Sequence, residues 1–269
     1  MIAFSPCKIN LGLNVVSRRD DGFHNIETCF FPVPWTDVLE IIPSQTFSMA
    51  STGFDIPGKG GDNTCVKAWQ LLRRDFNLQP VKIHLHKVIP PGAGLAGGSS
   101  NGAHTLLLLN KIFNLGLTEQ KLKGYSSELG SDCSFFIHGK PMLGSGRGEI
   151  LEPINIDLKG RFLVVVIPTI HVSTAEAFST IQPKKPKRPI AEIIQSEPPE
   201  RWRQWLVNDF ELSIFRKHPY IQGLKESLYK LGATYASMSG SGSAVFGIFE
   251  KGIALKKEFE GLTLWHNQL

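Results

Sequence analysis

The stretch best equipped for chemistry reads Pro90-Pro91-Gly92-Ala93-Gly94-Leu95-Ala96-Gly97-Gly98-Ser99-Ser100-Asn101. The run of small residues from Ala96 to Ser100 leaves a backbone that anionic oxygens can approach with no side chain in the way. Ahead of it, Val81, Ile83 and Leu85 alternate with Lys82, His84 and His86, the period of a half-buried strand. Behind it, Ala103, Leu106, Asn110 and Phe113 recur at helical spacing, with Leu107 and Leu109 widening the apolar stripe. A strand, a glycine loop and a helix N-terminus in succession make an anion site. The N–H groups of the first helical turn are free, and the helix dipole favours negative charge there. Phosphate is the anion this pattern selects.

Two familiar phosphate loops match imperfectly. Gly92 to Gly97 satisfies G-x-G-x-x-G, the dinucleotide fingerprint, but the loop arrives in mid-domain. Glu119, where a ribose-binding acid would stand, follows Thr118 at the start of another helix. Gly92 to Ser99 read as a Walker loop puts Gly98 in the place of the lysine. A bound nucleoside triphosphate would then need its cation from elsewhere in the chain. Lys8 stands at the start of a strand carrying Leu11, Leu13 and Val15, and Lys87 ends the strand before the loop. Lys8 could equally be a solvated edge lysine. Asp132 follows Gly130-Ser131 and precedes Phe135-Phe136, where it could serve as an acid–base group or simply cap a short helical turn.

The elements that must position these residues can be read in order. Asp21-Gly22 is a hairpin signal between the strand holding Lys8 and Asn10 and its return through Ile26 to Phe31. Asp37 to Ile42 reads as a strand. Asp62-Asn63 caps a helix whose buried stripe is Val66, Trp69, Leu72 and Phe76. Thr118 to Leu129 reads as a helix closed by Gly130. A second domain begins near Gly160, giving 1–158 and 159–269 as the two domains. In it, Phe162 to Ile167 reads as a buried strand, and Ser173-Thr174-Ala175-Glu176 as a capping box opening a helix that carries Phe178. Pro189 to Gln195, Arg201 to Arg216 and Pro219 to Leu231 are helical by pattern. Thr234 to Phe249 gives strand, glycine turn at Ser239-Gly240-Ser241-Gly242, and strand.

Composition bounds the class. The chain has 269 residues, 42% hydrophobic and 20% charged, as in ordinary globular proteins of one large or two modest domains. Cys7, Cys29, Cys65 and Cys133 show no metal-ligand spacing and are too few for a disulfide framework, which points to a reduced, cytoplasmic setting. No apolar run approaches membrane-spanning length. The net charge of +5 suits an anionic ligand. Much of the excess lies in Lys184, Lys185, Lys187 and Arg188, interleaved with prolines, the pattern of a solvated extended loop. A basic RNA-binding module is the rival this charge allows, but no aromatics interleave the basic run, so no nucleic-acid partner is expected.

Pro90 to Ser100 resembles the phosphate-binding motif of the GHMP kinases, the superfamily of galactokinase, homoserine kinase and mevalonate kinase. Gly130-Ser-Asp-Cys-Ser-Phe-Phe136 is similar to its catalytic segment, and Ser239 to Ser243 to its third glycine motif. The resemblance spans essentially the whole chain and implies a two-domain α+β fold with the active site in an interdomain cleft. Ser5-Pro-Cys-Lys-Ile-Asn-Leu-Gly-Leu13 followed by Asp21-Gly-Phe-His24 resembles one branch of the family, whose substrates are ATP and a cytidine diphosphate sugar alcohol. The implied roles follow. Lys8 and Asp132 are catalytic, and Asn63, Lys87, Pro90, Gly92, Ala93, Gly94, Leu95, Ala96, Gly97, Gly98, Ser99 and Ser100 bind ATP. Asn10, Phe23, His24, Asp132, Thr174, Phe178, Ser239 and Gly240 bind the second substrate, with Phe23 and Phe178 as two stacking faces and His24 at the base edge. Mg²⁺ is implied without assigned protein ligands, and the partners are small molecules. The chain departs from the family at Phe23, where tyrosine is frequent, and at Ala96, where glycine is. The second matters only if that position needs positive φ.

Overall fold

The structure, a computed structural model, describes residues 1–58, 60–254 and 259–269. Strand β1 (Ile2–Arg18) is buried on both faces from Cys7 to Val15, so its side chains run apolar with little alternation. The hairpin at Asp21-Gly22 forms as its residues require: Gly22 adopts φ +84°, and Asp21 Oδ1 accepts from the Phe23 N–H at 3.1 Å. The chain returns as β2 (His24–Pro43), followed by β3 (Ser48–Gly53), α1 (Thr64–Phe76) and β4 (Val81–Lys87). Helices α2 (Gly97–Ile112), α3 (Glu119–Leu129) and α4 (Cys133–His138) come next. Short strands β5 (Met142–Ser145) and β6 (Ile150–Pro153) precede β7 (Phe162–Ile167). The remainder is α5 (Thr174–Ser179), α6 (Ile190–Ser196), α7 (Phe210–Lys217), α8 (Pro219–Lys230), β8 (Tyr235–Met238), β9 (Val245–Phe249) and β10 (Thr263–Gln268).

By packing, the chain divides into two units whose segments interleave. The first holds Met1–Lys8, Pro32–Pro91 and Ala96–Lys140; the second holds Ile9–Phe31, Gly92–Leu95 and Pro141–Leu269. In the first, β4 pairs antiparallel with the C-terminal part of β2 (Leu39 opposite Leu85) and parallel with β3 (Ser51 opposite Leu85). The inward face of β4, Val81, Ile83 and Leu85, meets Trp69 and Leu72 of α1 and Leu106 and Leu109 of α2 in one core. In the second, β10, β7, β9 and β8 form an antiparallel sheet in that order. Val164, Val166 and Phe249 from this sheet pack with Ile214 of α7 and Ile221, Leu224 and Leu228 of α8. Both units are α+β.

Two expectations change. Arg201 to Arg216 is not one helix: a 3-10 turn (Pro199–Gln204) and α7 flank a break at 206–209. There the backbone pairs with β1 instead, Leu13 N–H donating to Val207 O and Asp209 N–H to Leu13 O. Long-range pairing has overridden helical periodicity. Phe76 leaves the buried stripe of α1 and is 38% exposed, because Asn77 turns the chain at φ +46° immediately after it.

Helix α2 begins from Ala96 at φ +54°, ψ +29°, a left-handed conformation unfavourable for a residue with a Cβ. Ala96→Gly should therefore stabilise the protein by about 0.5–1 kcal/mol, the strain relieved less the extra chain entropy of glycine. Urea denaturation checks this. An unchanged or lower midpoint would show that alanine sits at this φ without strain.

Candidate active site

Within the first unit, the catalytic pair suggested by sequence comes together. Lys8 is 3% exposed, and its Nζ stands 3.7 Å from Asp132 Oδ2. Burial pulls the Lys8 ammonium below its ordinary pKa, and the Asp132 carboxylate opposes that shift. Asp132 occupies the N-cap position of α4, but its backbone is already helical there and its side chain makes no capping hydrogen bond. The carboxylate is turned to Lys8 and remains 29% exposed. At 3.7 Å the two groups attract without closing on each other, and a hydroxyl could bond to both.

The same unit holds the helical half of the glycine loop. Ala96 provides no side-chain cap, so the first-turn N–H groups of α2 stay available. Gly98 is exposed, with open space where a Cβ would be. Its carbonyl accepts from Thr64 Oγ1 at 2.7 Å, which brings Asn63 beside the loop. Asn63 is also a true cap, its side chain accepting from Cys65 N–H at 2.8 Å. Ser99 hydrogen-bonds with the Cys133 thiol, so the residue after Asp132 touches the glycine loop. Ser100 is buried, its N–H bonded to Ala96 O. Lys87 is 3% exposed and lies beneath the loop, where a Cβ on Gly97 would come within 2.9 Å of its Nζ. Lys87 forms a buried ion pair with Asp37, a partner not suspected from sequence.

In the second unit, Gly92 to Leu95 pack against the C-terminal glycine turn. Ser239 Oγ donates to Gly94 O at 3.0 Å, and Ala244 N–H donates to Ala93 O at 3.1 Å. Gly94 is obligatory, since a Cβ there would fall 2.1 Å from Ser239 O. Ser239 also donates to Asn10 Oδ1 at 3.5 Å, while Asn10 Nδ2 donates to Thr28 Oγ1 at 2.8 Å. Asn10, Ser239 and the loop are thus one polar cluster, and Gly240 continues the turn at φ +54°. The turn is held by Asn208, whose Nδ2 donates to both Met238 O and Gly240 O at 2.8 Å. Asn208 sits in the break before α7 and was hidden by the helical pattern around it. His171, unflagged by sequence, rests on Gly92; a Cβ there would meet its ring at 2.8 Å.

The aromatic group differs from two faces awaiting a base. His24 stacks on Phe178 with centroids 4.8 Å apart and an 18° interplanar angle. Phe178 meets Phe210 edge-on at 4.7 Å. Phe23 is 55% exposed and carries the Arg147 guanidinium 4.9 Å above its ring. Thr174 opens α5, four residues before Phe178, with its side chain exposed. Pro90, half-buried, opens the loop. Among the described residues no group of three or more His, Cys, Asp or Glu could hold a metal ion, and no helix is long and apolar enough to cross a membrane.

Comparison with known proteins now bears on this geometry. The GHMP kinases N terminal domain matches residues 63–140 and the GHMP kinases C terminal domain matches residues 190–261. The chain is 49% identical over 250 residues to a 4-diphosphocytidyl-2-C-methyl-D-erythritol kinase of Cytophaga hutchinsonii, covering 93% of this chain and 92% of that one. It is 46% identical to the kinase of the same name from Bacteroides fragilis over the full length of both chains. Among solved structures, a 4-(cytidine 5'-diphospho)-2C-methyl-D-erythritol kinase superposes with a TM-score of 0.78 at 32% identity, over 93% of this chain and 91% of that one. A Cytophaga hutchinsonii homoserine kinase shares the fold at 14% identity, with a TM-score of 0.71 over 100% of this chain and 94% of its own. With both GHMP domains matched and relatives this similar over nearly their whole length, the chain belongs to the 4-diphosphocytidyl-2-C-methyl-D-erythritol kinase family of GHMP kinases.

Proposed function

We propose that the protein transfers the γ-phosphoryl group of ATP to the C2 hydroxyl of 4-diphosphocytidyl-2-C-methyl-D-erythritol. The products are the 2-phosphate and ADP, a step of the methylerythritol phosphate route to isoprenoid precursors. The observation that carries this reading is an aspartate at a helix cap position that does not cap, and pairs instead with a buried lysine. Phosphoryl transfer asks an enzyme for positioning and charge neutralisation more than for covalent chemistry. Asp132 holds or accepts the hydroxyl proton as the oxygen attacks, and the Lys8 ammonium favours the alkoxide character that develops. The first-turn N–H groups of α2 and the small residues 96–100 hold phosphate oxygens. Mg²⁺ binds mainly through substrate phosphates and water, so an all-protein cage is not required; bound there it would neutralise phosphate charge. The test is ADP release with 4-diphosphocytidyl-2-C-methyl-D-erythritol, homoserine and mevalonate as acceptors in turn. Release with the cytidyl substrate alone is expected, and comparable turnover of another acceptor would overturn the assignment.

Three substitutions probe the parts. Asp132→Ala should lower kcat by about 10²–10⁴, the usual worth of a positioned acid–base group, with ligand binding retained. No capping bond is lost, so any fall in melting temperature should reflect the buried Lys8 losing its carboxylate; a loss of stability with turnover preserved would return Asp132 to a structural role. Gly98→Val places its Cβ in open space, with no atom beyond the helix's own backbone within 4 Å of it. It should raise the KM for ATP at least about tenfold, the cost of losing one charge-assisted contact. Gly97→Val is a poorer probe, since its side chain would strike Lys87.

The stacked His24–Phe178 pair offers a flat polar base both a ring face and ring nitrogens. Stacking is worth about 1–3 kcal/mol per base but does not choose between bases. Hydrogen bonds at the His24 edge must therefore select. CMP should inhibit competitively against the cytidyl substrate and UMP much more weakly, and Phe178→Ala should abolish the CMP effect without raising the KM for ATP. Equal inhibition by CMP and UMP would show that this pair does not read the base.

A further inference from the structure

Asp37 lies on β2, outside every motif of the sequence, and its side chain is fully buried. Its Oδ1 accepts from the backbone N–H groups of Val88 and Ile89, both at 2.8 Å. Its Oδ2 accepts from Lys87 Nζ and, at 2.9 Å, from Asn101 Nδ2. All four donors therefore come from the short span 87–101. They are the last residue of β4, the two residues that lead into the glycine loop, and a residue of the second turn of α2. An ion pair that only stabilised the core would have no reason to gather its remaining donors from both flanks of one loop. The Lys87 ammonium is pressed close under Gly97, the first residue of α2, where only a hydrogen leaves it room. Thr105 Oγ1 in turn donates to Asn101 O at 2.8 Å, fixing Asn101 within the helix.

We propose that Asp37 is a positioning residue for phosphoryl transfer. It ties the end of β4 to α2 so that the N–H groups of Gly97 to Ser99 keep one place for the phosphates of ATP. The inference rests on reading 92–100 as the phosphate loop. The energetic logic is that of a fully satisfied buried polar network. Each link is modest, but any motion of α2 relative to β4 would leave a buried charge short of partners, and such motion is strongly disfavoured.

The experiment uses the full chain, with Asp37→Asn and Asn101→Ala assayed for KM(ATP), kcat, CMP affinity and melting temperature. Asp37→Asn keeps an oxygen for Val88 and Ile89 but presents an NH₂ group to Lys87 and Asn101. KM for ATP should rise about tenfold or more in both Asp37→Asn and Asn101→Ala, since each variant breaks a hydrogen bond made to the Asp37 carboxylate. The loss should fall more on KM than on kcat, and CMP affinity should stay unchanged. Wild-type KM for ATP in both variants would overturn the proposal. So would a parallel loss of ATP and CMP affinity with the melting temperature, which marks general loosening. If Asp37→Asn does not fold, Asn101→Ala, which leaves the ion pair intact, decides alone. Gly98→Val separates the two levels. A normal KM for ATP in Gly98→Val would remove the phosphate-loop reading itself. A raised KM there beside unaffected Asp37→Asn and Asn101→Ala would remove only the role of Asp37.

Discussion

The first turn of α2 carries no side-chain cap, and much of the surrounding structure bears on that one feature. A helix start normally satisfies these donors with a serine, threonine or aspartate side chain. Here the N-cap is Ala96, which has nothing to offer them, in a left-handed conformation. Helix α2 is thus begun in an unfavourable way that leaves its positive end uncapped. Its stability comes from elsewhere: Leu106 and Leu109 in the core, Gly102 allowing close approach to Thr64 of α1, and the links through Asn101 and Thr105. The site is open because the rest of the helix is over-determined.

Much of this was legible in the sequence, for local reasons. The alternation of β4, the asparagine cap of α1, the threonine cap of α3 and the Ser173 cap of α5 all form as their residue types dictate. Ser173 Oγ accepts from Glu176 N–H at 3.1 Å, but Glu176 does not complete a capping box. Its carboxylate meets His218 Nε2 at 3.2 Å and Lys217 at 3.5 Å. The half of the motif set by neighbours was readable, and the half set by a residue far along the chain was not.

The same boundary explains what stayed hidden. Asp37 reads as one more polar position in a strand, because its donors lie fifty or more residues away. Asn208 looks like an interior helix residue until β1 pairs with the backbone beside it. For Asp132 the sequence left capping open, and only the backbone angles and side-chain direction show that it makes no capping bond. The separation of Phe23 from Phe178 likewise depends on which ring of the hairpin turns inward, and residue order does not determine that.

Two buried lysines flank a loop that has Gly98 in the usual place of a lysine. Lys87 and Lys8 are both 3% exposed, yet their charges are spent differently. Lys87 is in close contact with a carboxylate that is itself fully buried and shared among four donors, so its charge is matched within the fold. It acts on the loop as a strut. Lys8 faces a carboxylate that is partly exposed and stands 3.7 Å away, and burial has already lowered its pKa. A buried ammonium in a low-dielectric place gains from a new negative charge beside it. A developing alkoxide between Lys8 and Asp132 would supply that charge.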